Sequence, residues 1–316
     1  MKTLLKVALG LFLAMLLLVA VGVAMSWAPD RPVESLKARW APEPSRFVAV
    51  QGMQVHLRDE GPQDDPEPIV LLHGTSASLH TWDGWVAALK GQRRVIRLDL
   101  PGFGLTGPTP DHDYHLTRYT AFMAALLEEL QLNKVVLAGN SFGGTVAWMT
   151  ADAYPQRVSR LILVDAGGYP YKPTSIPIGF KLAQVPALKP LMANLLPRSM
   201  IESSVRNVYG DPSKVTPELI DRYYEITLRE GNRRALRERF TQSPGGEHAE
   251  RIAQLKLPTL ILWGSEDHLI PPDNAERFQR DIAGSQLVMF RGLGHVPQEE
   301  DPAATVAAVK TFLGLN

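Results

Sequence analysis

Val135-Val136-Leu137-Ala138-Gly139-Asn140-Ser141-Phe142-Gly143-Gly144 is an apolar run that breaks into a serine set among glycines, and a second apolar stretch, 146–153, follows directly. The first four residues have the continuous apolar pattern of a strand covered on both faces, and 146–153 has the length and composition of a helix. A chain that passes from strand to helix within one residue lifts Ser141 above the sheet. Gly139 and Gly143 leave room where a β-carbon would collide with neighbouring backbone. The helix then directs its free NH groups at the same point. Ser141 is therefore a candidate nucleophile.

Working outward, continuous apolar runs recur at 69–72, 95–98, 161–164 and 260–263, with a strand-like segment at 287–290. Two short strands are expected at 47–50 and 53–58 with Gln51-Gly52 as their turn, and helices at 116–130 and across 218–240. This alternation predicts an α/β fold with a mostly parallel sheet wrapped by helices. Between 168 and 246 the strand pattern stops and Pro-punctuated helical stretches take over. The domain reading is thus an N-terminal segment 1–27, a linker 28–45 rich in proline and charge, a core formed by 46–168 and 247–316, and a helical cap 169–246. The cap enters after a strand's carboxyl end, where open α/β sheets keep their sites.

The 316 residues carry 33 basic and 33 acidic side chains, so no overall basic field recruits nucleic acid. With no cysteine in the chain, a structural disulfide, a thiolate nucleophile and a Cys-ligated metal are all excluded. From Val7 to Met25 there is no charged side chain, and Lys2 and Lys6 precede the run. At about 1.5 Å per residue it nearly spans a bilayer's hydrocarbon core. The expectation is an uncleaved membrane anchor with the lysines on the cytoplasmic side, Trp27 at the interface and the rest on the extracytoplasmic side. The alternative is a signal peptide cleaved near Ala24-Met25-Ser26, leaving a secreted protein.

A serine hydroxyl needs a base within hydrogen-bond reach and a third group to orient that base. Gly292-Leu293-Gly294-His295-Val296-Pro297 places His295 in a Gly-rich loop after the 287–290 segment, and Gly264-Ser265-Glu266-Asp267 places Asp267 in a loop after the 260–263 strand. The chain order Ser, Asp, His is the one expected when the serine sits on a strand-to-helix turn. Two NH donors must face the oxyanion formed on attack. The NH of Phe142 is one, and His73-Gly74-Thr75-Ser76 points to the NH of Thr75 as the other.

Together with the Asp99-Leu100-Pro101-Gly102-Phe103-Gly104 loop, these motifs resemble the α/β-hydrolase superfamily over 47–313. The resemblance implies Ser141 as nucleophile, Asp267 as acid and His295 as base, with no organic cofactor and no metal. Haloalkane dehalogenases and epoxide hydrolases of that superfamily carry an aspartate nucleophile, and this chain has serine. The first expectation is therefore a carboxylesterase or lipase-like enzyme that takes a small-molecule ester or acyl substrate through an acyl-enzyme. The Gly-Asn-Ser-Phe-Gly-Gly string and Arg229-Glu230-Gly231-Asn232-Arg233-Arg234 also resemble hydrolases that cleave carbon-carbon bonds in ring-fission products of aromatic catabolism. Those usually have Trp after the catalytic histidine, where this chain has Val296, and an outward-facing anchored enzyme is poorly placed for a cytosolic pathway. That activity is the alternative. A binding protein that kept the fold is a further one.

Rival residues have structural readings. Asp165 also ends an apolar strand and competes with Asp267 for His295, whereas Glu266 is expected to face solvent. Asp99 is expected to bond local backbone and His73 to support its loop. His80, His112, His115, His248 and His268 lack metal-site spacing. Tyr223, Tyr224 and Phe240 read as packing with a pocket-lining alternative, and the arginines between 229 and 239 as a solvated helix face with an anion grip as the alternative.

Overall fold

A computed structural model describes residues 2–188 and 192–315. One residue of the expected anchor, three of the expected cap (189–191) and the last of the core therefore lie outside the described residues. Eight strands, β1 Ser45–Val50, β2 Met53–Glu60, β3 Ile69–Leu72, β4 Val95–Leu98, β5 Val135–Asn140, β6 Val158–Val164, β7 Thr259–Gly264 and β8 Gln286–Phe290, form one sheet in the order β1-β2-β4-β3-β5-β6-β7-β8. β2 pairs antiparallel with β1 and β4, and every other pairing is parallel. The fold is the expected α/β-hydrolase architecture.

The continuous apolar runs have a simple cause. On β3, Val70 and Leu72 face one core cluster while Ile69 and Leu71 face the other, and on β5 Val135 and Leu137 oppose Val136 and Ala138 in the same way. Both faces of the sheet are dry, so no polar alternation is tolerated. Among the helices, α1 is Lys2–Ser26, α2 Val33–Trp40, α3 Asp83–Leu89, α4 Leu116–Glu129 and α5 Phe142–Ala153. The insertion after β6 carries α6 Ile178–Ala183, α7 Arg198–Val208, α8 Pro217–Thr227 and α9 Asn232–Gln242, and α10 Asp273–Asp281, α11 Pro297–Glu300 and α12 Pro302–Leu313 complete the chain. α4, α5 and α10 cover one face of the sheet, α3 and α12 the other. Each fully buried Leu or Ile in these layers contributes roughly 1.5–3 kcal/mol.

Two local expectations change. The single helix expected over 218–240 is split into α8 and α9, because Gly231 takes a left-handed φ of 87° at the start of α9. Asn232 Nδ2 then donates to Ile226 O at 3.0 Å and Gly104 O at 2.9 Å, fixing the break against the core. The segment 28–45, expected as a linker, carries α2 and packs on the insertion. Leu36 is 2% exposed, and Arg39 and Trp40 Nε1 both donate to Glu225.

α1 is the one helix among the described residues long and apolar enough to cross a bilayer: Thr3–Ser26, 24 residues, none of its apolar window buried. It meets the insertion through a short bridge, in which Leu196 N donates to Ser26 O at 2.9 Å and Ala28 N to Asn194 O at 2.8 Å. Asp30 accepts from Gly231 N and pairs with Arg233. If α2 is an integral part of the fold, Leu36→Ala lowers stability by about 2–3 kcal/mol, while Glu34→Ala on the exposed side stays within about 0.5 kcal/mol. Urea unfolding of the full chain in detergent measures both.

Candidate active site

Ser141 follows β5 with φ 55° and ψ −118°, a left-handed conformation rare for a residue with a side chain. Three backbone bonds hold it there: its NH donates to Val164 O at 3.0 Å, and its carbonyl accepts from Gly167 at 3.0 Å and Thr145 at 3.1 Å. A β-carbon at Gly139 would lie 2.2 Å from Gly143 O, and one at Gly143 would lie 2.3 Å from Leu72 O. Both glycines are required by contact.

His295 lies in the loop after β8 and Asp267 in the loop after β7. His295 Nδ1 meets Asp267 Oδ2 at 2.7 Å, with both residues buried. Asp267 Oδ1 is spent on the NH groups of Leu269 and Ile270, each at 2.9 Å, so the carboxylate is held by its own loop. His295 and Ser141 line the same cavity, and among the described residues no hydrogen bond joins them. Such bonds are commonly loose in the free enzyme and tighten on substrate. Thr75 and Phe142 also line the space around Ser141, and neither NH has an acceptor among the described residues.

Asp165 is the rival that the geometry places behind the pair. It is fully buried, its Oδ1 accepts from Gly264 N at 3.0 Å, and its Oδ2 has no partner. Burial, and then the neighbouring Asp267 charge, push its carboxyl well above its ordinary value, which favours the protonated form. Asp165, Asp267 and His295 form the one group of potential metal ligands among the described residues. Within it His295 Nδ1 is taken up by Asp267 Oδ2, which is the chemistry of an acid-base pair. Asp99 sits under the next loop and accepts from Leu79 N, Leu105 N and His56 Nδ1, each at 2.7 Å. Burial alone would raise its carboxyl, but the His56 ring overcomes this and holds it well below the usual range. His73 is also buried: its ring contacts Gly74 O and accepts from Leu100 N, and desolvation keeps it neutral. Both therefore brace loops. Glu266 is exposed.

Some positioning residues carried no signal in one dimension. Asn140 Nδ2 donates to His295 O at 2.9 Å and Val164 O at 3.1 Å, tying the elbow to the histidine loop. His295 N donates to Val208 O at the end of α7, and buried Glu300 accepts from Gly294, Gly210 and Asp211 NH groups. Insertion and histidine loop are thus one unit. The position usually held by Trp in ring-fission hydrolases, Val296, packs with Val205, Tyr209, Val215 and Ile220.

Two chambers meet at Ser141. The first, beneath α7 and α8, is walled by apolar side chains such as Met192, Leu196, Met200, Ile201 and Val205, and holds about 960 Å³ counting its open mouth. The second lies beyond Phe142 and includes Thr145, Tyr171, Gln184 and Arg239. Tyr223 lines the first chamber and Phe240 the second, while Tyr224 packs with Ala28, Leu196 and Leu228. The arginine run is not a uniformly solvated face, because Arg233 and Arg239 are 6% and 7% exposed.

The two acids are separable by experiment. Asp267→Asn is expected to cost about 10⁴ in kcat, the size of the same change in the serine protease triad. Asp165→Asn, which mimics a protonated acid, stays within about tenfold. An acid whose folded pKa exceeds its unfolded one binds more protons when folded, so its stability contribution falls as pH rises above about 3.9. Asp165→Asn therefore leaves the protein at least as stable as the parent at pH 7. Steady-state rates and thermal melts of both variants decide the assignment.

With the geometry established, the family model described as alpha/beta hydrolase fold matches residues 67–302. A 2-hydroxy-6-oxo-2,4-heptadienoate hydrolase of Pseudomonas putida is 31% identical over 282 residues, covering 86% of this chain and 96% of its own length. The solved meta-cleavage product hydrolase from Pseudomonas fluorescens superposes with a TM-score of 0.73 at 26% identity, over 85% of this chain and 97% of that one. A crystal structure of a bacterial membrane phospholipase A, at 21% identity and TM-score 0.72, shares the fold over 99% of this chain and 98% of its own. The chain belongs to the α/β-hydrolase fold family.

Proposed function

We propose that this protein is a serine-dependent hydrolase that splits the carbon-carbon bond beside the ketone of 2-hydroxy-6-oxo-dienoates. The observation that carries this reading is the near full-length similarity, at 31% identity, to the Pseudomonas putida hydrolase of such a substrate. It takes precedence over the ester expectation for that reason. Ser141 Oγ attacks the ketone as His295 takes its proton, and Asp267 orients the imidazole and stabilises its charge. The NH groups of Phe142 and Thr75 receive the oxyanion. Transfer of the 2-hydroxyl proton to C5 first turns the leaving half into a 2-oxo-3-enoate; the bond from the ketone carbon to C5 then breaks, its electron pair passes through that enone to the 2-oxygen, and the proton held by His295 completes the 2-hydroxydienoate. Water acting through His295 releases the acyl group from Ser141. Overall one water is added, giving a carboxylic acid and a 2-hydroxydienoate.

A specific observation favours a second reading, hydrolysis of acyl esters held in a membrane. Met192, Leu196 and Met200 wall the first chamber, and Leu196 is the residue hydrogen-bonded to Ser26 at the foot of α1. An apolar chamber beside a membrane-length helix suits a long acyl chain delivered from a bilayer. The same helix supports an anchored protein whose hydrolase unit is extracytoplasmic, with Lys2 and Lys6 inside.

Wild-type protein is expected to consume 2-hydroxy-6-oxohepta-2,4-dienoate, followed by loss of the dienolate absorbance, and Ser141→Ala to lose at least about 10³ of that rate. Turnover of p-nitrophenyl esters from acetyl to long acyl chains, with the dienoate untouched, would replace the first reading by the second. For the anchor, the protein isolated from membranes is expected to keep Met1 or Lys2 as its first residue; a terminus near residue 26 would show a cleaved signal peptide.

A further inference from the structure

Ser45 opens β1, and His56 and Arg58 lie on β2. Ser45 pairs with Arg58 and Phe47 with His56, and alternate residues of a strand share a face, so these four side chains meet on one side of the sheet. His56 Nε2 meets Ser45 Oγ at 2.9 Å, and His56 Nδ1 meets Asp99 Oδ2 at 2.7 Å. The second distance equals that between His295 Nδ1 and Asp267 Oδ2. Asp99 is held as a carboxylate, which can only accept, so in the neutral imidazole the proton sits on Nδ1 and Nε2 keeps its lone pair. Arg58 Nε donates to Ser45 Oγ at 2.8 Å, which leaves the hydroxyl hydrogen for that lone pair. Phe47 stacks on the imidazole with 5.1 Å between centroids and fixes the plane of the ring. Two other hydroxyls among the described residues touch a histidine ring, Ser78 at 3.0 Å from His80 and Thr174 at 3.3 Å from His268. The carboxylate on the second ring nitrogen is found only at His56; His80 turns that nitrogen to Trp40 O.

We propose that Ser45 is a second activated hydroxyl, a modification site that takes an acyl group from an activated ester or thioester. A serine nucleophile needs a base within hydrogen-bond reach and a carboxylate that orients the base, and His56 and Asp99 supply both. Ser45 Oγ attacks the acyl carbon and its proton passes to His56 Nε2. The bond from the acyl carbon to the leaving oxygen or sulfur then breaks. The leaving group departs with that electron pair and takes the proton from His56, and the acyl group stays on Ser45 as an ester. Arg58 sets a cation beside the oxygen on which negative charge develops. Ser45 is half-buried on the edge strand of the sheet, and neither chamber at Ser141 is lined by Ser45, His56, Arg58 or Asp99. The site therefore stands whichever substrate Ser141 takes.

The probe is p-nitrophenyl acetate, added to the full chain in neutral detergent, with acetyl groups located by peptide mass spectrometry over time. Ser35 is the internal reference: it is more exposed than Ser45, and its hydroxyl donates to Pro32 O with no base beside it. Ser45 is expected to acetylate at least about 10² faster than Ser35, the lower end of what a positioned general base contributes. The ratio is read in wild type, which needs no variant to fold, and again in Ser141→Ala, where the elbow consumes no probe. Equal rates at the two serines, or no acetyl group on Ser45, overturn the proposal by showing that His56 and Asp99 only brace the strand. His56→Gln can keep hydrogen bonds to both neighbours but removes the base, and it is expected to bring Ser45 down to the rate of Ser35. A His56→Gln protein that melts like wild type and still acetylates Ser45 at the wild-type rate also overturns it. Should that variant fail to fold, the Ser45 to Ser35 ratio decides alone.

Discussion

The close approach of backbone to backbone at the end of β5 is the constraint on which the other features of the site depend. The start of α5 comes so near β3 that a β-carbon at Gly143 would meet the Leu72 carbonyl, and one at Gly74 would lie 3.1 Å from the β-carbon of Ser141. Only that compression lets one residue reverse the chain from strand to helix and leaves Ser141 in a strained conformation above the centre of the sheet. Strain of this kind persists only when the surroundings over-determine it. Here the two parallel neighbours β3 and β6 fix β5 on both sides, and Val164 and Gly167 bond the serine backbone directly.

From that fixed point the other groups are positioned by hydrogen bonds that cross between elements. Asn140 links the elbow to the carbonyl of His295, and Glu300 gathers NH groups from both the histidine loop and the insertion. The carboxylates behind them divide their tasks by environment. Asp267 is satisfied by its own loop and by His295 Nδ1, whereas Asp165 lies in a dry site next to an existing negative charge, which pushes its carboxyl toward the protonated form. Two acids at neighbouring strand ends are thus set apart by their surroundings without any difference in residue type.

The insertion connects this chemistry to the N-terminal helix. Its residues 192–208 wall the apolar chamber, bond to the residues that follow α1, and end at the carbonyl that holds His295. The foot of α1 and the chamber wall are therefore joined through one short segment. The second chamber at Ser141 is lined by residues of α9 and of the loops after β6 and β7, Arg239 among them.

The sheet was legible in the sequence because both its faces are dry, which forces continuous apolar runs at 69–72, 95–98 and 135–138. The glycines around Ser141 were legible because no other residue fits their contacts. The apolar N-terminal run was legible because hydropathy over a bilayer's length is a one-dimensional property. Long-range pairing was not. Nothing along the chain distinguishes Arg239, which has no carboxylate within 4.0 Å among the described residues, from Arg233, which reaches Asp30 across 203 residues. The break at Gly231 depended on the core carbonyl of Gly104 that Asn232 finds, and the docking of α2 depended on Glu225 of the insertion, which accepts from Arg39 and Trp40. Local sterics and hydropathy are written in the order of residues, whereas counter-ions, proton affinities and cavities depend on which distant side chains the fold brings within a few ångströms.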